Sequence, residues 1–140
     1  MKYFFLSLLV TFLAACSTSK KIAKPVLLNQ QTFLLTEIST DPSYGFSKDN
    51  PISVGGVKES QGPLNERRYL NALAGPNGET VDYERETSCC PIKSENGFLG
   101  MAMLDIYRVT WEGSKDTLSI YINMYDHDKL KAPKGFSIKK

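Results

Sequence analysis

The sequence is poor in the residues from which catalytic and metal sites are most often built. Among 140 residues it has one histidine, one tryptophan and three cysteines. Any catalytic triad based on histidine would have to use His127, and the spaced cysteine pairs of zinc sites are absent. The chain also lacks a phosphate-binding glycine loop, a G-x-S-x-G elbow and an H-E-x-x-H motif. The sequence therefore predicts neither a metal nor a cofactor.

An excess of positive charge is also missing. Lysine and arginine together number 17 against 15 acidic residues, which gives a formal net charge of +2. Proteins that bind nucleic acid show a basic patch or stripe, and no such field is present here. We therefore expect no nucleic-acid partner.

Long hydrophobic segments are absent as well. The apolar run from Tyr3 to Leu13 is shorter than the roughly 20 residues that span a bilayer as a helix. It follows Lys2 and ends in small residues, which is the layout of a secretory signal. A plain secretory signal, with the next cysteine incidental, is one interpretation.

The residues at the end of this run favour a more specific interpretation. Residues 13–16 read Leu-Ala-Ala-Cys, and the segment resembles a bacterial lipoprotein signal. The resemblance implies that Cys16 becomes the lipidated first residue of the mature protein and binds it to the membrane. Ser17 in the next position resembles lipoproteins of the outer membrane, so we expect a cell-envelope location there, on an unspecified face.

The length after the signal fits one domain. Removing residues 1–15 leaves 125 of the 140 residues, enough for a single modest core. We divide the chain into a signal peptide (1–15), a lipidated cysteine and polar tether (16–31) and one globular domain (32–140).

The pattern within the domain predicts a sheet with one helix. Strands are expected at Thr32–Ile38, Tyr44–Phe46, Ile52–Val54, Val81–Ser88, Leu104–Trp111 and Thr117–Tyr125. Leu118, Ile120 and Ile122 alternate with polar residues, as in a half-buried strand. Asn96-Gly97 is a hairpin-turn signal. The fold class is α+β, with a mainly antiparallel twisted sheet of about five or six strands and one helix on one face.

The predicted helix spans Pro63–Leu73. Pro63 suits a first helical position, and Gly75 lies just past the end, where glycine often terminates helices. The leucines, including Leu70 and Leu73, are expected to pack on the sheet, while Glu66 and the arginines face solvent.

Two adjacent cysteines are the first candidate site. Cys89 and Cys90 are weak catalytic candidates as thiol nucleophiles, a redox switch or metal ligands, and one of them is otherwise a small core residue. Consecutive Cα atoms lie 3.80 Å apart, less than disulfides prefer, and strand neighbours point to opposite faces. We expect no stable, relaxed disulfide between them.

Charged residues provide the second candidate site. Glu66, Arg67 and Arg68 at the predicted helix, together with Arg85, could form an arginine-rich pocket for a carboxylate or phosphate. A solvated helix face is the alternative. His127, between Asp126 and Asp128, is a further weak catalytic candidate or part of a polar turn.

Several segments resemble a family of short, poorly characterised bacterial lipoproteins. They are Tyr44-Gly45-Phe46, residues 50–56 (NPISVGG), 62–73 (GPLNERRYLNAL), 75–79 (GPNGE), 88–91 (SCCP), 104–107 (LDIY) and 123–126 (NMYD). Some members look like ones labelled 2-dehydro-3-deoxyphosphooctonate aldolase, which implies a cytoplasmic barrel enzyme acting on phosphoenolpyruvate. A (β/α)₈ barrel needs about 200 residues or more, so this exported chain is too short for it.

These observations favour a non-catalytic envelope module that binds a small ligand or a partner protein. The alternatives are an enzyme built on a thiol or on the arginines, and a purely structural lipoprotein.

Overall fold

The computed structural model describes Ile22 and residues 24–140. Cys16 and the predicted signal lie outside the described residues. Within them the chain forms one helix and eight strands, which confirms the α+β class. In chain order the elements are β1 (Leu27–Asn29), β2 (Thr32–Phe33), β3 (Ile52–Ser53), α1 (Gly62–Leu70), β4 (Leu73–Ala74), β5 (Val81–Phe98), β6 (Met101–Trp111), β7 (Leu118–Asn123) and β8 (Ser137–Ile138).

The main sheet has four strands in the order β3-β7-β6-β5. The β5–β6 and β6–β7 pairs are antiparallel, and β3 joins β7 in parallel. The remaining strands form two small antiparallel sheets, β1–β2 and β4–β8. The predicted mainly antiparallel arrangement is therefore present, with its strands divided among three sheets.

The alternation predicted for β7 sets the buried face of the main sheet. Ile120 and Ile122 are fully buried, and they pair with Tyr107 and Asp105 of β6. Paired residues of antiparallel strands share a face, so residues 105, 107 and 109 of β6 line the same core surface. The helix covers this surface.

The helix is shorter than predicted at its C-terminal end. It ends at Leu70, and Asn71 and Ala72 close it by donating to the carbonyls of Arg67 and Tyr69. Leu73 belongs instead to β4, where it pairs with Ile138. Sheet pairing thus overrides helix continuation, and Gly75 follows a strand rather than capping the helix.

The expectation that Glu66 faces solvent is wrong. The buried residues of α1 are Gly62, Asn65, Glu66, Tyr69 and Leu70. Their three- and four-residue spacing makes one face of the helix, and a glutamate is part of it. Tyr69 and Leu70 are 0% exposed.

Residues 44–46 form a turn rather than the predicted strand. Asp41 organises this turn, because its carboxylate accepts hydrogen bonds from the Ser43 amide at 2.8 Å and the Asn50 amide group at 2.9 Å. Gly45 has a φ of 79°, which suits a turn and is incompatible with a regular strand.

The β5–β6 hairpin turns later than the Asn96-Gly97 signal indicates. The turn lies at Leu99 and Gly100, which have φ values of 51° and 77°. Gly97 instead allows a close approach, because a Cβ there would collide with the Met101 carbonyl.

The N-terminal segment already contacts the domain within the predicted tether. The Leu34 amide donates to the Val26 carbonyl at 2.8 Å, and β1 pairs with β2. No helix in the described part of the chain is long and apolar enough to cross a membrane.

Candidate functional site

A buried polar cluster lies where α1 packs on β5 and β6. We call it the Glu66 cluster, and it consists of Glu66, Arg85, Ser88, Asp105 and Tyr107. Strand pairing assembles most of it, because Arg85 lies opposite Tyr107 and Ser88 opposite Asp105. The helix adds Glu66 from its buried face. The Tyr107 hydroxyl donates to Glu66 Oε2 at 2.9 Å.

Asp105 is held as a carboxylate within this cluster. Arg85 donates to both of its oxygens, from Nε to Oδ2 at 2.7 Å and from Nη2 to Oδ1 at 2.9 Å. The Ser88 hydroxyl adds a hydrogen bond to Oδ1 at 2.6 Å. Burial raises the pKa of Asp105, but the hydrogen bonds from Arg85 and Ser88 outweigh this effect and the pKa is lowered.

Glu66 has the opposite protonation state. Its side chain is 0% exposed, and burial first, then the neighbouring Asp105 carboxylate, raises its pKa to about 8. Its Oε1 accepts no hydrogen bond from the described residues. A neutral carboxyl suits this position, because burial disfavours the charged form. One carboxyl of the pair is therefore neutral and the other charged at neutral pH.

Only the acidic side of the cluster is enclosed. Glu66 and Asp105 are buried, whereas Ser88 is exposed and the Arg85 side chain is 49% exposed. Arg85 donates to Asp105 and Ser88 through Nε and Nη2. The arrangement fixes α1 on the sheet and can store a proton.

The structure brings together only part of the arginine-rich pocket predicted from sequence. Arg85 and Glu66 belong to one cluster, whereas Arg67 is exposed on the helix. Arg68 lies on another side and binds the N-terminal segment, with Nε donating to the Gln30 carbonyl at 2.8 Å and Nη1 to Gln61 Oε1 at 2.9 Å. These arginines therefore do not converge on one anion site.

The structure contradicts the expectation that Cys89 and Cys90 stay unpaired, because it joins their sulfur atoms in a disulfide. The two side chains were expected to point to opposite faces of the strand, but a β-bulge interrupts the alternation at this point. Cys89 pairs with Leu104 and Pro91 with Met103, so that Cys90 is an extra residue in β5. Cys90 has a φ of 57°, which interrupts the alternation of strand side chains. Neither cysteine has a thiol to act as a nucleophile or metal ligand in this state.

His127 lines a small cavity beside the start of α1. The cavity has a volume of about 250 Å³, and its lining includes Lys24, Asn65, Arg68 and His127. The imidazole packs on Gly55, where any side chain would collide with the ring. Its Nδ1 is buried without a hydrogen-bond partner among the described residues.

A larger cleft of about 710 Å³ lies at the opposite end of α1. Its apolar wall contains Leu70, Leu73 and Ile138, and its polar wall contains Asn77, Glu79, Lys139 and Lys140. The turn after β4 forms one side, where the Gly78 amide donates to the Gly75 carbonyl at 2.9 Å. Strand β8 forms the other side. None of the candidate residues chosen from the sequence lines this cleft.

In comparisons with known proteins, no family model, no curated protein and no solved structure matches this chain significantly. The resemblance to short bacterial lipoproteins therefore stays a prediction. Among the described residues, no group of three histidine, cysteine or acidic side chains is placed to hold a metal ion.

Ser88, Asp105 and Tyr107 are the cluster residues that the sequence analysis missed as site residues. A signal was present for Asp105 and Tyr107. They occupy the same phase of β6 as Val109, which is fully buried, so an acidic residue at this phase needs a buried partner. The neighbouring cluster residues lie on the helix and on the adjacent strand β5. They cannot be assigned from the sequence until the register of β5 against β6 is known.

Proposed function

We propose that this protein is a lipid-anchored module of the cell envelope that binds a small ligand without transforming it. The observation that carries the proposal is the separation between the cleft and the ionisable groups suited to chemistry. The cleft of about 710 Å³ is open, whereas Glu66 and Asp105 are buried and Asp105 is already paired with Arg85. Binding sites are typically concave and combine apolar surface with polar groups, and the surface of this cleft is about equally polar and apolar.

The polar groups of the cleft favour an acidic ligand. The Glu79 carboxylate already accepts two hydrogen bonds from Asn77. The side-chain amide of Asn77 donates to Oε1 at 2.9 Å, and its backbone amide donates to Oε2 at 2.8 Å. Within the described residues, Lys139 and Lys140 make no salt bridge. Their ammonium groups are thus available to an acidic group of a ligand, while Leu70, Leu73 and Ile138 accept an apolar portion.

The position of the cleft suits a protein anchored through its N-terminal end. Lys24 lies beside Gln61 at the start of α1, whereas the cleft begins at Leu70, where the helix ends. Since α1 has nine residues and rises about 1.5 Å per residue, at least one helix length separates the two. The cleft then opens away from the lipid anchor.

The enzyme alternative is less well supported. A thiol mechanism needs a free thiolate, and Cys89 and Cys90 are bonded to each other. An arginine site needs converging guanidinium groups, but Arg85 donates to Asp105 and Arg68 donates to the Gln30 carbonyl in another part of the fold. His127 lines only the smaller cavity.

The proposal is tested by identifying what the cleft carries. The intact lipoprotein is extracted from membranes in mild detergent, and the co-purifying small molecules are identified by mass spectrometry. We expect an acidic, partly apolar compound that is lost from a Lys139→Glu/Lys140→Glu variant. The matched control, Lys48→Glu/Lys58→Glu, makes the same charge change outside the cleft and should retain the compound. Equal recovery from both variants, or chemical conversion of the compound on incubation, would contradict the proposal.

A further inference from the structure

The β5–β6 hairpin extends beyond the rest of the main sheet. Pairing between β6 and β7 begins at Asp105, opposite Ile122. From Leu104 back to Met101, β6 pairs with β5 alone. Residues 91–103 therefore form a two-stranded projection, which we call the hairpin arm.

The tip and the β6 strand of the hairpin arm expose apolar side chains, while Lys93 and Glu95 are exposed on its β5 strand. Phe98 and Leu99 at its tip are 83% and 86% exposed, and Met101 and Met103 are 42% and 41% exposed. The inward face is different, since Ala102 and Leu104 are buried. Exposed apolar residues that occur singly are ordinary, but contiguous ones mark an interaction surface. These four side chains lie within six residues of the chain.

The arm is held in place rather than free to collapse onto the domain. Asp126 accepts hydrogen bonds from Ser94 Oγ at 2.7 Å and Asn96 Nδ2 at 2.8 Å. Its second oxygen accepts from Asn123 Nδ2 at 2.9 Å. The hydrogen bonds that the arm makes to Asp126 stabilise a projecting tip whose largest side chains contact mainly solvent.

The tip lies at the same end of the domain as the N-terminal segment that leads back to Cys16. Lys24 lines the same cavity as His127, which follows the Asp126 that holds the arm. Seven residues lie between Cys16 and Lys24, so the two positions are at most about 30 Å apart along the chain. A lipid on Cys16 therefore keeps this end of the domain close to the bilayer.

We infer that the tip of the hairpin arm, through Phe98 and Leu99, inserts into the bilayer that holds the lipid of Cys16. The inference rests on the proposed lipid anchor and adds a second contact that fixes the orientation of the domain. Lys93 and Glu95 are the charged residues of the arm, so it carries no net charge. The contact is made by the apolar side chains of Phe98 and Leu99, and because the arm has no net charge we expect it to be insensitive to salt, unlike attraction to anionic head groups.

The test measures the depth of the tip in a membrane. The mature lipoprotein with Leu99→Cys is labelled without reductant with an environment-sensitive fluorophore and reconstituted into phosphatidylethanolamine–phosphatidylglycerol vesicles. Lys115→Cys, in the loop at the other end of β6, is the matched control. The wild-type chain, taken through the same labelling, corrects for any reaction at Cys89 and Cys90.

We expect nitroxide lipids to quench the label at position 99 at least fivefold more than the label at position 115, at low and high salt alike. Aqueous iodide should show the reverse order. A Phe98→Asp/Leu99→Asp variant labelled at Met101→Cys should lose the lipid quenching that Met101→Cys shows alone. Both aspartates replace exposed side chains, so the variant should fold.

Three outcomes are distinguishable. If neither labelled protein floats with the vesicles, the lipid anchor itself is wrong. If both float but iodide quenches position 99 as strongly as position 115, the tip stays in water and the inference is overturned. If position 99 is shielded from iodide and from nitroxide lipids, the tip binds a protein or a second copy, and membrane insertion is again overturned.

Discussion

Glu66 is completely buried in the folded chain, and its protonation is coupled to folding. Glu66 has an ordinary pKa of 4.5, which the fold raises to about 8 through burial and the nearby Asp105 carboxylate. Between these two values the folded chain holds a proton that the unfolded chain has released. Stability must therefore fall as pH rises across this window, because the unfolded state binds fewer protons there.

The first prediction concerns Glu66→Gln. Glutamine is neutral at every pH, and its side-chain oxygen can still accept from the Tyr107 hydroxyl, as Glu66 does. The wild-type free energy of unfolding should fall between about pH 4.5 and 8, at up to about 1.4 kcal/mol per pH unit, while the variant should remain nearly flat. Urea unfolding followed by Trp111 fluorescence at a series of pH values measures both slopes.

The matched control for this prediction is Glu84→Gln. Glu84 is exposed on β5, so this variant removes the same charge without removing a buried carboxyl. It should keep the wild-type slope. A Glu66→Gln variant with the wild-type slope would show that Glu66 is not the group responsible.

A second prediction at the residue scale concerns the oxidation state of the cysteines. Cys90 occupies a bulge in β5 and has a positive φ, which places its sulfur beside that of Cys89. Protein taken directly from the envelope and alkylated without reductant should lack label at both positions, and the peptide containing them should be two hydrogens lighter than the dithiol. Reduction before alkylation is the control and should give two labels. Complete labelling without reductant would contradict the pairing.

The Glu66 cluster shows which features of the site can be predicted from the sequence and which cannot. Glu66 and Arg85 were recognised as candidate binding residues, because clustered charge needs an explanation. Their roles were not recognised, since Glu66 depends on the exact phase of the helix and Arg85 on the register of β5 against β6. Both quantities are set by packing across elements that are far apart in sequence.

At the scale of elements, period-two alternation was the most reliable signal. It placed β7 correctly, because Ile120 and Ile122 are buried on one face and Ser119 is exposed on the other. Helix length was harder to predict. Leu73 has good helical propensity, but it gains more by pairing with Ile138 in β4–β8, a contact about 65 residues away that no local pattern reveals.

The third prediction tests the contribution of α1 to the core. Leu70 is 0% exposed, so Leu70→Ala should cost about 2–5 kcal/mol and lower the melting temperature by roughly 10 °C. Arg67→Ala, one turn earlier on the exposed side, serves as the control and should change it little. Thermal unfolding followed by circular dichroism measures both. A wild-type melting temperature for Leu70→Ala would show that the helix contributes little to stability.

At the scale of the whole molecule, the features fall at two ends. The hairpin arm, the His127 cavity and the arriving N-terminal segment lie where α1 begins, and the cleft lies where α1 ends. The long β5 strand runs from one end to the other, since Val81 lines the cleft and Phe98 is at the tip. The proposed membrane contact and the proposed ligand site therefore lie at opposite ends of the domain.

The last prediction concerns the anchor on which this orientation depends. Changing Cys16→Ser removes the sulfur of the proposed lipid attachment, so the variant should appear in the soluble fraction or accumulate as the uncleaved precursor. The acyl chains contribute about 0.8 kcal/mol per buried methylene, far more in total than the exposed side chains of Phe98 and Leu99 can supply. The tip alone should therefore fail to retain the protein, and a Ser17→Ala control should remain in the membrane fraction. A processed Cys16→Ser protein that still needs detergent for extraction would show that the lipoprotein interpretation is wrong, and that some other part of the chain holds it in the membrane.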